Sequence, residues 1–194
     1  MKKSLDHFGI LAPFYERFIT PRYPEKLLSL ARLNLECNVL DIGGGTGRVA
    51  NFMIGKVSII IIGDESFQML EEARKKVPLI PICAKSEETP FRMESFDRII
   101  MVDALHHVQN QEKTILELWR LLRPGGRIVI EEPDIRKPSI KVVAFLEKLA
   151  LMRSHFLNAN QIAAFFRFTP AIIDIQSEEH TTWVVIEKPL TGVN

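Results

Sequence analysis

A glycine-rich stretch at residues 38–50 holds the residue types with the clearest chemical use in the chain. An apolar run interrupted near its end by Asp41 predicts a buried strand. Four glycines follow it: Gly43, Gly44, Gly45 and Gly47. The apolar residues after them have helical spacing, so we expect a strand, a glycine turn and a helix. Glycine permits close backbone approach to a ligand, and a helix start attracts an anionic group.

Two ligand classes fit this spacing. Gly45-x-Gly47-x-x-Ala50 fits the dinucleotide pattern G-x-G-x-x-G/A. Asp41-x-Gly43-x-Gly45-x-Gly47 resembles instead the first motif of the class I S-adenosylmethionine (SAM) methyltransferases. Glycine turns that bind nothing are also common between a strand and a helix. The stretch alone leaves the choice open.

The composition is that of one globular domain spanning residues 1–194. The chain is 46% hydrophobic and 25% charged, with a formal net charge of +1. That charge provides no general attraction for nucleic acid. We find neither a convincing signal peptide nor an apolar run of membrane-spanning length. Cys37 and Cys83 each abut a predicted strand and are expected to be buried free thiols. We expect a cytoplasmic protein without a metal site.

Apolar runs alternate with helical patterns along the chain, which predicts a parallel, doubly wound sheet. Pro81 places the third strand at a sheet edge. The predicted strands after the first are 57–63, 80–84, 98–102 and 127–131, with closing strands at 171–175 and 182–186. The predicted helices are 25–32, 66–76, 110–122, 140–157 and 158–168, the last with Asn158 as a cap.

An acid stands at the tip of the second strand, about twenty residues past the glycines. The Asp64 carboxylate could accept hydrogen bonds from the vicinal hydroxyls of a ribose. Alternatively, Asp64 or Ser66 caps the helix that follows. Both roles can hold together, and they indicate a nucleoside without identifying it.

Further motifs occur in the order and spacing of one family. The set resembles the small-molecule branch of the class I SAM-dependent methyltransferases over residues 38–132, and residues 181–189 resemble the family's last strand. The resemblance implies a Rossmann-like α/β fold with a mostly parallel sheet and a C-terminal antiparallel strand. After the first motif, the pieces are Asp64-x-Ser66-x-x-Met69-Leu70, Glu87-x-x-Pro90-Phe91, Ser95-Phe96-Asp97, Ala104-Leu-His-His107 and Leu122-Arg-Pro-Gly-Gly126.

The resemblance implies SAM as the cofactor and S-adenosylhomocysteine (SAH) as the product. The amino acid end would lie over the glycines, the ribose on Asp64, and the adenine near residues 65–69 and 85–87. The implied cofactor residues are Asp41, Gly43, Gly44, Gly45, Thr46, Gly47, Asp64, Glu65, Met69, Lys85, Ser86, Glu87, Asp103 and His107.

Lys85 departs from the family pattern. Many relatives place there an aspartate that contacts the adenine amine, and a lysine cannot accept that hydrogen bond. Ser86, Glu87 or a backbone group would then read the adenine.

Methyl transfer from a sulfonium is a direct displacement, so a base is needed only if the acceptor must lose a proton. Asp103 and His106, at the end of the fourth strand, are the candidate catalytic residues. His107 fits better as a residue that lines the cofactor pocket. His7 is a weaker candidate base, and His155 and His180 are expected to be structural or exposed.

The segments that flank the predicted cofactor-binding core at residues 38–132 have less specific patterns. Residues 1–35 are expected to form a helical lid segment, in which Phe14, Tyr15 and Phe18 would face the substrate. Residues 133–168 would cap the cleft, pack on the domain or form a dimer face, which leaves a homodimer open. Residues 169–189 supply the closing strands.

These observations predict a SAM-dependent methyltransferase that acts on a small molecule. Gly45→Val and Asp64→Ala are expected to abolish SAM binding. The alternatives are a SAM-binding regulatory or partner protein without turnover, and an NAD(P)-binding oxidoreductase. The stretch at residues 8–15 resembles the start of quinone-biosynthesis C-methyltransferases.

Overall fold

The computed structural model describes residues 22–138, 140–141 and 154–190. Within these ranges the chain forms one seven-stranded sheet with the strand order β3-β2-β1-β4-β5-β7-β6. Strands β1 to β5 pair in parallel, and β7 runs antiparallel to both β5 and β6. The predicted Rossmann-like sheet with an antiparallel C-terminal strand is therefore confirmed. The strands are β1 Asn38–Ile42, β2 Ile59–Asp64, β3 Ile80–Cys83, β4 Phe96–Val102, β5 Leu122–Pro133, β6 Ile172–Glu178 and β7 Thr181–Glu187.

Four α-helices that flank the sheet lie wholly within the described residues: α1 Pro24–Ala31, α2 Phe67–Ala73, α3 Gln111–Leu121 and α4 Ala159–Ala164. Short polar side chains begin three of them, because they satisfy backbone N–H groups that the first turn leaves unpaired. Ser66 accepts from Met69 N, and Asn110 from Lys113 N. Asn158 forms a capping box with Gln161, as its expected role as a cap required.

The two faces of the sheet have separate apolar cores. One core packs α1, α2 and the segment after β1 on alternate strand residues such as Val39 and Val129. The other packs α3 and α4 on residues such as Leu40 and Ile130. Because successive strand residues point to opposite faces, neighbours near the end of β5 lie in different surroundings.

The helix predicted after the glycines is wrong. The structure has a 3-10 helix at Ala50–Met53 instead. Gly47 and Gly55 both have positive φ, at +75° and +77°, so a left-handed residue stands at each end of this short segment. An α-helix shorter than about three turns gains little from propagation, and the tighter helix fits the available length.

Three other expectations differ from the structure. Cys37 is buried as expected, but Cys83 is exposed because β3 is an edge strand. Strand β5 begins at Leu122 and continues through the predicted turn, with a register shift opposite Phe96 and Arg98. Residues 154–158 are not helical, so the helix predicted for 140–157 does not extend to its expected end.

Some predicted segments lie outside the described residues. These are most of the lid segment, with His7, Phe14, Tyr15 and Phe18, and the part of the 133–168 segment between residues 142 and 153. Among the helices that are described, none is long and apolar enough to cross a membrane.

Candidate functional site

The predicted site residues meet where β1, β2, β4 and β5 end. Open α/β sheets bind ligands outside the carboxyl ends of their strands, where the strand order reverses. Here that reversal lies between β1 and β4. The glycine turn follows β1, Asp64 ends β2, and Asp103 follows β4.

The backbone conformation and the packing of the turn after β1 both require glycine. Gly43, Gly45 and Gly47 have φ values of +70°, +54° and +75°, which side-chain-bearing residues rarely adopt. A Cβ at Gly43 would lie 2.5 Å from Ala104 Cβ. Gly43 N donates to Gly63 O at 2.7 Å, which fixes the turn against β2. The turn therefore lies flush against the loop after β4.

Asp64 connects the glycine turn to the next helix. Its Oδ2 accepts a hydrogen bond from Gly45 N at 2.9 Å, and its Oδ1 accepts one from Ser66 N at 2.8 Å. Met69 Sδ lies 3.9 Å from the position of a Cβ at Gly45. Gly45, Asp64 and Met69 are thus brought together, while Glu65 is exposed beside them.

A buried charge cluster lies on one face of the sheet beneath this turn. Arg48 Nη2 donates to Asp103 Oδ2 at 2.8 Å, and Arg48 is only 8% exposed. Burial raises the pKa of Asp41 to about 7, with Arg48 opposing the shift. Burial also raises the pKa of Glu131 to about 7, against a hydrogen bond from Trp183 Nε1. The sequence reading did not include Arg48, although it directly follows the last glycine.

The opposite face carries a buried pair formed by Glu132 and His106. Glu132 Oε2 lies 2.5 Å from His106 Nδ1. Glu132 Oε1 accepts hydrogen bonds from Ala104 N at 3.1 Å and Leu105 N at 2.8 Å. The Phe156 ring stacks on His106, with centroids 4.3 Å apart. Glu132 was missed in the sequence, where two adjacent acids at the end of a buried strand were the available signal.

His107 has different surroundings from those of His106. Burial lowers its pKa to about 3, and the neighbouring His106 adds to that shift. Its Nδ1 lies 3.2 Å from Ser154 Oγ. His107 is therefore neutral at physiological pH, which suits a residue that lines a pocket.

The loop expected near adenine has its acid engaged elsewhere. Glu87 Oε1 accepts hydrogen bonds from Gln109 N and Asn110 N at 3.2 and 3.1 Å, just before α3. Ser86 Oγ lies 3.2 Å from Thr114 Oγ1. Lys85 is exposed and forms a β-bridge with Glu88. Glu87 therefore does not replace the acceptor that Lys85 lacks, because its carboxylate is engaged by backbone groups of the protein.

His155 and His180 are not part of the pair formed by His106 and Glu132. His155 donates its backbone N–H to His106 O at 2.7 Å, and His180 is exposed before β7. Within the residues that the structure describes, no group of three or more His, Cys, Asp and Glu side chains could hold a metal ion.

The residues present fit a nucleoside cofactor with an amino acid end. The nearest atoms to a Cβ at Gly45 would lie 3.9 Å away, so a ligand can approach the backbone of the turn closely there. Asp64 provides a half-buried carboxylate beside it, and Arg48 provides a buried cation. Gly43, Gly45 and Asp64 would hold such a cofactor along the tips of β1 and β2.

Comparisons with known proteins agree with this architecture. A methyltransferase domain model matches residues 40–130. The UbiE ubiquinone/menaquinone biosynthesis C-methyltransferase of Escherichia fergusonii is 32% identical over 175 residues, covering 80% of this chain and 69% of that protein. The UbiE protein of Pseudoalteromonas translucida is 31% identical over 117 residues, covering 55% of this chain and 46% of its own length. The solved SAM-dependent methyltransferase of Aquifex aeolicus has a TM-score of 0.69 at 16% identity, covering 92% and 95% of the two chains.

The domain match and the relative from Escherichia fergusonii identify a SAM-dependent methyltransferase, and the chain shares its fold with the solved enzyme of Aquifex aeolicus. The chain belongs to the family of these relatives, which includes the UbiE C-methyltransferases. This assignment decides between the two ligand classes of the glycine stretch in favour of SAM.

Proposed function

We propose that this chain methylates a small-molecule acceptor that carries an ionisable hydroxyl, with His106 as the general base. The observation that carries the proposal is the 2.5 Å contact between His106 Nδ1 and Glu132 Oε2. A carboxylate beside Nδ1 keeps a proton on that nitrogen, so proton transfer falls to Nε2. The same carboxylate would stabilise the imidazolium that forms.

Glu132 is suited to this task because its position is fixed. It is 3% exposed and accepts two backbone N–H groups from the loop that carries His106. Both partners of the pair are buried, with side chains that are 5% and 4% exposed. Electrostatic interactions are stronger in such surroundings than in water.

The other polar groups have supporting roles in the proposal. Bound SAM would supply an electrophilic methyl group on a sulfonium. Asp103 is held by Arg48, so we assign it to positioning the strand tip in preference to proton abstraction. His107 would line the cofactor pocket as a neutral group.

The names of the relatives support one acceptor class. The curated relatives are C-methyltransferases of ubiquinone and menaquinone biosynthesis. Removal of a ring hydroxyl proton increases the electron density on the oxygen and on the adjacent ring carbons, so one base serves C- and O-methylation alike. A quinol-like aromatic ring with an unsubstituted position is therefore the acceptor that we propose.

The test is methyl transfer to short-chain quinols and simple phenols, followed by mass spectrometry of SAH and the methylated product. We expect turnover by the wild-type protein and a loss of about 100-fold or more in kcat for His106→Asn. His180→Asn, on the hairpin before β7, is the matched control and should retain activity. Undiminished turnover by His106→Asn would contradict the assignment of the base.

The second candidate is a SAM-binding protein without turnover. The exposed Lys85 at the expected adenine contact favours it, because the usual carboxylate acceptor is missing there. Binding of SAH without methyl transfer across the whole acceptor panel would support this function.

A homodimer and a cytoplasmic location are two further proposals. The outer strand β6 exposes Ile172 and Ile175, and the nearby Phe168 is 84% exposed. This edge supports a homodimer, which sedimentation equilibrium would detect as twice the chain mass. A cytoplasmic location is the other expectation, and fractionation of expressing cells tests it.

A further inference from the structure

The guanidinium of Arg48 has an unusual position in the charge cluster. Arg48 is 8% exposed, and its Nη2 donates to Asp103 Oδ2 at 2.8 Å. Its Nη1 is buried and, like Oδ2 of Asp41, has no hydrogen-bond partner among the described residues. A buried, permanently charged donor without a partner is unfavourable, so a group that completes its hydrogen bonds would be bound with a gain.

The charges around Arg48 restrict which group that can be. Arg48 and Asp64 act electrostatically on Asp41, and Asp103 and Arg48 act on Glu131. Four acidic side chains near one crevice would repel an incoming carboxylate unless a cation were fixed among them. The other cation at the turn, Lys76, already donates to Thr46 O at 2.6 Å. Arg48 is the guanidinium that the cluster encloses in the described part of the chain.

A guanidinium binds carboxylates through two parallel N–H groups, and one of its two terminal nitrogens is already engaged by a carboxylate here. The side chain of Asp103 is 38% exposed, against 8% for Arg48, so the pair is reached from the side of Asp103. The amino acid end of the cofactor carries a carboxylate next to an ammonium group. An arginine paired with an aspartate presents complementary charges to that zwitterion.

We propose that Arg48 is the residue that binds the α-carboxylate of the cofactor's amino acid end, with Asp103 beside it facing the ammonium group. This inference rests on the proposed SAM-dependent function and assigns one residue within the same site. It distinguishes Arg48 from a residue that only holds Asp103 in place, since the two roles differ in which ligands they affect.

The test is calorimetric titration with SAH and with its decarboxylated analogue, which retains the amine and lacks the carboxylate. The wild-type protein is expected to bind SAH about tenfold or more tightly than the analogue. Arg48→Gln should lose about tenfold in SAH affinity and clearly less in affinity for the analogue, which keeps only the ammonium group that faces Asp103. Arg74→Gln is the matched control, since Arg74 lies on the exposed surface of the next helix region and pairs with Glu71.

The other outcomes each have a defined meaning. Equal losses for both ligands in Arg48→Gln, or equal wild-type affinities for them, would overturn the inference and leave the proposed function intact. Absence of SAH binding by the wild-type protein would overturn the proposed function itself. If Arg48→Gln does not fold, Arg48→Lys replaces it: a loss of SAH affinity of about threefold, with a clearly smaller loss for the analogue, supports the inference, and equal effects oppose it.

Discussion

Glu131 and Glu132 are adjacent in strand β5 but lie on opposite faces of the sheet, in opposite chemical surroundings. Glu131 is 5% exposed and receives a hydrogen bond from Trp183 Nε1, and burial raises its pKa to about 7. Glu132 is 3% exposed, accepts two backbone N–H groups and contacts His106. Equal burial therefore does not produce equal chemistry.

The difference lies in the number and kind of hydrogen-bond donors. A carboxylate that accepts two amides and faces an imidazole has its charge balanced locally. Arg48 favours the ionised form of Glu131 but is also paired with Asp103. Glu132 and Asp103 both disfavour that ionised form. We infer that β5 places an acid fixed by backbone N–H groups on the side of His106, and an acid whose pKa is raised by burial on the side of Arg48.

The largest expected effect is the loss of the Glu132 side chain. Glu132→Ala would leave Ala104 N, Leu105 N and His106 without their buried acceptor, at a cost of about 3–5 kcal/mol in the free energy of unfolding. Urea unfolding at pH 7 measures it. Glu131→Gln keeps an acceptor for Trp183 and should change stability far less; similar losses in both variants would remove the distinction between the two acids.

The second effect is a change of stability with pH that is caused by the titration of Glu131. The folded-state pKa of about 7 lies above the ordinary glutamate pKa of 4.5, so the folded protein binds this proton more tightly than the unfolded chain. Wild-type stability should therefore fall, relative to Glu131→Gln, as the pH rises from about 5 to about 7, and then level off. The expected difference between pH 5 and pH 8 is about 2 kcal/mol.

Urea unfolding of both proteins across this pH range is the measurement. His107, whose pKa is lowered, contributes with the opposite sign in both proteins and cancels in the difference. A constant difference between the two proteins at all pH values would show that Glu131 stays ionised in the folded state.

The third effect concerns the close contact between the glycine turn and the loop after β4. A Cβ at Gly43 would lie 2.5 Å from Ala104 Cβ, and Ala104 N is held by Glu132. Gly43→Ala should lose about 2 kcal/mol of stability together with SAH affinity. Gly55→Ala is the matched control, with φ +77° and no atom within 4 Å of the new Cβ. It should lose about 1 kcal/mol and retain SAH affinity; equal behaviour of the two variants would exclude the close approach as the cause.

The smallest effect is expected at the adenine loop. Lys85→Asp restores the acceptor that the family resemblance implies, and should strengthen SAH binding by about 1 kcal/mol, or roughly fivefold. Titration calorimetry measures this change, with Lys113→Asp on the exposed side of α3 as the control. A weaker affinity in Lys85→Asp would mean that adenine is read by other groups.

Local patterns in the sequence predicted the strands, their parallel order and the caps at Ser66 and Asn158. They also brought Gly45, Asp64 and Met69 to one place, because the tips of parallel strands meet at one edge. The pairs of Arg48 with Asp103 and of His106 with Glu132 span 55 and 26 residues. Which side chains meet across such distances depends on strand register and on the face each residue takes, and neither is visible in the local pattern. The exposure of Cys83 likewise depends on which strand ends the sheet.

The most direct test of the account is calorimetric titration of the wild-type protein and Asp64→Ala with SAM, SAH and NAD. The carboxylate of Asp64 bonds Gly45 N at 2.9 Å, so it stands at the centre of the proposed cofactor site. We predict that the wild-type protein binds SAM and SAH but not NAD, and that Asp64→Ala binds none of them. Undiminished SAH binding by Asp64→Ala, or a preference of the wild-type protein for NAD, would contradict the assignment of the site.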